Sequence, residues 1–95
     1  MNGKQIIFLM PQISRFFGII ISMFYDDHNP PHFHASYGEY SVEITIKDLD
    51  ILVGTLPIRV LGLVNEWAAM HKEELLENWK RMENGEKLHT IEPLE

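Results

Sequence analysis

At 95 residues, 45% hydrophobic and 23% charged, the chain has room for one domain, 1–95, with one modest core. It contains no cysteine, which rules out a disulfide framework and any thiolate metal site. A net charge of −6, with eight basic residues spread thinly, leaves no basic stripe for general phosphate attraction. Sequence-independent DNA binding is therefore disfavoured, while a local contact with nucleic acid stays open because it needs only a few placed groups. The apolar run at residues 6–10 is far too short to span a bilayer and, with a single Lys4 before it and Pro11 after it, makes a poor signal peptide. No membrane role is expected, and the cytoplasm is the expected compartment.

The first predicted element is a strand over residues 16–25, FFGIIISMFY. It is β-branched and aromatic and apolar on both faces apart from Ser22, the pattern of a central strand. The turn DDHNPP follows, since Pro30-Pro31 cannot sit inside a sheet. Two alternating runs, residues 32–37 and 40–47, flank Gly38-Glu39, and a Gly-X pair in that position predicts a type II′ hairpin. With this two-residue loop, Tyr37 faces Tyr40, Ala35 faces Val42 and Phe33 faces Ile44 on a core face. The other face then pairs Ser36 with Ser41, His34 with Glu43 and His32 with Thr45. A slip of one residue would set apolar against polar throughout, so pattern and turn agree on the register. A short fourth strand is expected at residues 51–56, weakened by Gly54.

After Pro57 the period changes from 2 to 3.6. Val60, Val64, Trp67, His71, Leu75, Trp79 and Met82 fall at steps of three or four, predicting one long amphipathic helix with a bend near His71. Trp67 and Trp79 read as core or interface anchors, His71 as a packed imidazole, and Glu77–Arg81 as an i,i+4 pair on a solvated face. Asn84-Gly85 stops the helix, and residues 86–95 are expected to run irregularly over the surface. The expected fold is thus α+β: a small antiparallel sheet of three to four strands packed on one long C-terminal helix. The half-apolar second face invites a second subunit or a partner.

The segment DDHNPPHFHA concentrates the chemistry, and three readings are open. His-x-His on a strand places both imidazoles on one face, their backbones about 6–7 Å apart. His32 and His34 with Glu43 then make a two-imidazole, one-carboxylate set of the kind that holds Zn or Fe, and His28 or Asp27 supplies a fourth ligand. Alternatively, His34 paired with Glu43 is a metal-free base, His32 or His28 an acid, and Arg15 a phosphate holder, as in small ribonucleases. The third reading is structural: a polar turn leading to a hairpin face, which needs no function and which the residues taken alone favour.

The string MPQISRFFGIIISMFYDDHNPPHFHASYGEY, followed by LP and EWAAMHKEELLENW, closely resembles the bacterial family called Domain of Unknown Function 4160, from Met10 to about Pro93. Family members typically begin at the Met-Pro that stands here as Met10-Pro11, which implies that residues 1–10 are an N-terminal extension. The resemblance implies a small cytoplasmic, partner-binding protein of toxin–antitoxin-like type, and the apolar first strand and acidic balance add the expectation of a homodimer or a small protein partner. It marks His28, Pro30, Pro31, His32 and His34 as a signature stretch and carries over no catalytic residue. The other expectation is a small hydrolase or nuclease using His32, His34 and Glu43, with or without a divalent metal.

Overall fold

The computed structural model describes residues 11–25 and 27–95. Five strands form one antiparallel sheet in chain order: β1 (Gln12–Phe16), β2 (Ile19–Ser22), β3 (His32–Tyr37), β4 (Tyr40–Thr45) and β5 (Ile51–Thr55). Two helices follow, α1 (Ile58–Met70) and α2 (Lys72–Glu83). The α+β class stands as expected, but the sheet has five strands rather than three or four, and the helix is two helices rather than one. The N-terminal extension expected at residues 1–10 lies outside the described residues.

The extra strand comes from the segment expected to be a single strand. Phe17 and Gly18 both take positive φ, +51° and +79°, and fold residues 12–22 into a hairpin. Two consecutive left-handed residues are the type I′ turn, whose twist matches the strands it joins. β2 is then an interior strand between β1 and β3, which accounts for its apolar character on both faces. Ile19, Ile21 and Met23 enter the core, while Ile20, Ser22 and Phe24 are half-buried on the other face.

The second hairpin has the register read from its pattern. All six pairs between β3 and β4 occur, from His32 opposite Thr45 to Tyr37 opposite Tyr40. Gly38 has φ of +59° and Glu39 has no positive φ, in keeping with a type II′ turn. Phe33, Ala35, Val42, Ile44 and Ile46 are buried, but Tyr37 and Tyr40, expected in the core, are exposed. They sit at the hairpin tip, beyond the helix side chains that bury the rest of that face.

The helical stripe packs as predicted. Trp67 has no exposed surface and tilts against Phe16 and Phe33, with centroid separations of 5.5 and 6.1 Å. Burying an apolar side chain of this kind contributes roughly 1.5–3 kcal/mol, so Trp67, Val64 and Leu75 together hold the helices on the sheet. The helix breaks at His71, where φ and ψ are −125° and 27°. The His71 ring lies 5.4 Å from that of Trp67, and its Nδ1 bonds the Glu74 carboxylate, a side-chain pair that leaves the first turn of α2 without a side-chain cap. Arg81 pairs with Glu77 at 3.4 Å.

The tail at residues 86–95 is irregular but does not run loose, contrary to expectation. Leu88 and Ile91 are buried, and Ile91 N–H donates to the Ile13 carbonyl at 2.8 Å. The Asn78 amide donates to the His89 carbonyl and accepts from the His89 N–H, both at 2.9 Å. Trp67 Nε1–H donates to the Glu92 carbonyl, and the Tyr25 hydroxyl to that of Glu86. Apolar residues at steps of three (Leu88, Ile91, Leu94) supply the docking face, and buried polar groups of the helix satisfy the backbone that comes with them. Among the described residues, no helix is long and apolar enough to cross a membrane.

Candidate metal centre

His32 and His34 project from the same face of β3, because residues two apart on a strand share a face. Glu43 stands opposite His34 on β4, and Ser22 opposite it on β2. The face carries Phe24 as well, whose ring stacks flat on His34, with centroids 4.1 Å apart and planes 3° apart. This stack fixes the His34 ring, leaving Nε2 towards Asp27 and Nδ1 towards Glu43.

His32 is not the exposed strand residue that the pattern predicts. It is only 4% exposed, because Trp79 of α2 lies against its ring at 5.3 Å and the turn before β3 folds over it. The Pro30 carbonyl is 2.8 Å from His32 Nδ1. A carbonyl can only accept, so Nδ1 carries the proton and donates it. In the neutral ring, Nε2 then presents a lone pair.

That lone pair faces a carboxylate. His32 Nε2 lies 3.1 Å from Asp27 Oδ2, yet it is buried and forms no hydrogen bond. Two acceptors at this distance repel unless positive charge lies between them, as a proton or a metal ion. His34 Nε2 is 2.9 Å from the same Asp27 oxygen. The three ligand atoms of Asp27, His32 and His34 all lie within 4.8 Å of one another.

These distances can be compared with what an ion needs. Ligands about 2.0–2.2 Å from a tetrahedral ion stand about 3.4 Å from each other. The two histidine nitrogens therefore have to draw back from Asp27 by only a few tenths of an ångström. The donor set, two imidazoles and one carboxylate, suits zinc or non-haem iron. Anchoring of the distal nitrogen, as by Pro30 on His32, is the usual support of a metal-binding imidazole.

Glu43 forms the outer wall. Its carboxylate is 3.7 Å from His32 Nε2 and 4.0 Å from His34 Nδ1, and it is more open to solvent than either imidazole. Two carboxylates thus face two imidazoles, and among the described residues no Lys or Arg pairs with Asp27 or Glu43. The local field favours a cation.

The residues singled out from the sequence are divided by the structure. His32, His34 and Glu43 come together. His28, expected as a further ligand, is exposed and outside the cluster; Glu43, expected as the carboxylate ligand, also stands outside the three-atom group, and Asp27 supplies that carboxylate instead. Arg15 shares the sheet face but lies two strands away on β1, bonded to Gln12 at 3.3 Å, so it is not next to the imidazoles. The contributions of Phe24 and Trp79 had no signal in the strand pattern. Trp79 reaches His32 from a distant helix, and Phe24 could have been placed only with β2 already registered on β3.

No curated protein and no solved structure matches the chain. A family comparison matches residues 18–80, a span running from the turn after β1 to α2 and including the whole cluster. The chain belongs to the family described as Domain of unknown function (DUF4160).

Proposed function

We propose that the domain is a divalent-metal-dependent hydrolase, with the ion held by His32 Nε2, His34 Nε2 and Asp27 Oδ2. The observation that carries this reading is the buried, unpartnered Nε2 of His32 facing the Asp27 carboxylate at 3.1 Å. Burying a polar nitrogen without a partner costs about 1–3 kcal/mol, and an ion at that point removes the cost. Zn²⁺ or Fe²⁺ fits the donor set, and either leaves positions open for water and substrate.

Glu43 is placed for general-base work in this reading. It is near the ligand nitrogens, half-exposed, and free of any Lys or Arg partner among the described residues. A bound ion would supply Lewis-acid polarisation of a water, and Glu43 is placed to take that water's proton and to return it to the leaving group as the substrate's acyl or phosphoryl bond is cleaved. The net acidic chain without a basic stripe argues for a small substrate or a short single-stranded segment over duplex nucleic acid.

The test is metal analysis of untagged protein, followed by titration of stripped protein with Zn²⁺ and with Fe²⁺ under anaerobic conditions. One ion per chain, lost in His34→Ala, is expected. Absence of binding by both ions overturns the reading. Hydrolysis of a phosphodiester or RNA probe that survives chelation would instead select the metal-free acid/base arrangement of the same residues.

A second reading, a toxin–antitoxin-like interaction module, is favoured by a different observation, the uncovered apolar strand β5. Co-purification of a small protein from the native host would support it.

A further inference from the structure

The two edges of the sheet differ. Along β1 the C-terminal tail covers the edge, with Ile91 N–H bonded to the Ile13 carbonyl. Along β5 no further strand pairs among the described residues. Ile51, Leu52 and Val53 are 46%, 42% and 59% exposed there, and Ile58, just past the strand, is 88% exposed. The strand sequence ILVGT contains no Lys, Pro or charged residue, so of the devices that keep an edge from meeting another it has only its shortness and a bulge. Three aliphatic residues in a row also break the in/out alternation, the pattern of a strand whose two faces are both covered.

The charges around β5 suggest what covers it. Lys47, Asp48 and Asp50 precede the strand, a net negative end, and Arg59 follows it, and none of the four has an ion-pair partner among the described residues. We propose that β5 is the docking surface for a second copy of this chain, the two copies meeting antiparallel about Val53 on a two-fold axis. That arrangement brings the Asp48–Asp50 end of each copy to the Arg59 end of its partner, so acid meets base twice. A parallel arrangement sets acid against acid. Val53 meets its counterpart on the face that bears Glu43, while Ile51 lies on the opposite face beside Ile44, so apolar contact forms on both faces of the joined edge and the charges form the rim.

β5 also explains why such pairing ends at two copies. Glu43 pairs with Val53 but the next residue, Ile44, pairs with Ile51, leaving Leu52 as an extra, bulged residue. A bulge interrupts regular pairing, which confines strand contact to a short stretch. An isologous contact about a two-fold axis uses the same patch on both copies and leaves none free. Because Val53 lies in the same cross-strand row as Glu43 and His34, pairing extends the face that bears the metal cluster into the partner. The inference does not depend on that cluster holding an ion.

Sedimentation equilibrium of the full chain tests it. A dimer is expected for the wild type, and a monomer with unchanged far-UV circular dichroism for Val53→Lys, which alters only an exposed side chain. Arg59→Asp is expected to weaken the dimer about tenfold, and adding Asp50→Arg to it should restore association. A wild type that stays monomeric to about 100 μM, a concentration at which even a weak specific dimer would be seen, overturns the proposal, including where that monomer takes up a different protein. A dimer indifferent to Val53→Lys or to Arg59→Asp overturns it too.

Discussion

The ring of His34 lies flat on that of Phe24, with 4.1 Å between centroids and 3° between planes. A ligand held this way needs no rotation when an ion arrives. Phe24→Ala is therefore expected to weaken Zn²⁺ binding about tenfold, within the roughly 10–100-fold range for residues that orient ligands. Phe24 is only half-buried, so the fold survives the change. Isothermal titration at neutral pH measures it, and an unchanged affinity would remove Phe24 from the site.

The two histidines have different roles, and their variants should separate. His34→Ala removes a ligand from a half-buried position and is expected to abolish the rise in melting temperature that saturating Zn²⁺ gives the wild type, a gain of about 2.7 kcal/mol at a hundredfold excess over Kd. His32→Ala does the same and also leaves the Pro30 carbonyl without its donor, costing about 1–3 kcal/mol even without metal. Thermal melts with and without Zn²⁺ distinguish the two.

Gly54 and Gly38 both have positive φ, but only one of them is crowded. A Cβ on Gly54 would fall 2.1 Å from the Ser41 carbonyl oxygen, whereas one on Gly38 would meet nothing within 4 Å. Gly38→Ala is expected to cost about 1–2 kcal/mol from the left-handed conformation alone. Gly54→Ala has to move the β4 backbone as well and should cost more, by at least another 1–2 kcal/mol for the disturbed pairing. Urea denaturation of the two variants gives the comparison.

Much of this fold could be read from the chain, and the failures are informative. The β3–β4 register was legible because a Gly-X loop and a strict alternation agreed, and that alone placed Glu43 across from His34. The β1–β2 hairpin was hidden because IIIS has no alternation and Phe17 is a poor candidate for positive φ; Gly18 was the only sign. The break at His71 has neither Gly nor Pro to mark it, only a packed imidazole beside Trp67 and Glu74. In the sequence Asp27 stands only as an alternative to His28, because its position follows from how the turn folds back, which no strand period encodes. The burial of His32 under Trp79 is likewise a tertiary contact and leaves no local trace.

The same turn offers a gain in stability. Phe17 occupies the first central position of a type I′ turn at φ +51°, where Asn is preferred, and it is exposed. Phe17→Asn creates Asn-Gly and is expected to stabilise the domain by about 0.5–1 kcal/mol, after losing the edge contact with Phe16. A higher urea midpoint with an unchanged slope is the expected result.

Asn78 is 1% exposed and holds both backbone groups of His89. Asn78→Ala leaves those groups without partners and is expected to cost about 2–4 kcal/mol. Proteolysis should then cut first within residues 86–95, while Asn78→Asp, which keeps the acceptor and loses the donor, falls between. A tail equally protected in Asn78→Ala would show that Leu88 and Ile91 hold it without the amide.

The docked tail also has a consequence for biosynthesis. The β1 edge and the Trp67 indole find their partners in residues 91 and 92, which follow both helices in the chain. While those residues are still inside the ribosome, the emerged sheet has both edges uncovered and an indole N–H without its acceptor. Closure of the domain therefore waits on residues 91 and 92, and the interval before they emerge is when the nascent chain is most open to strand exchange with its neighbours.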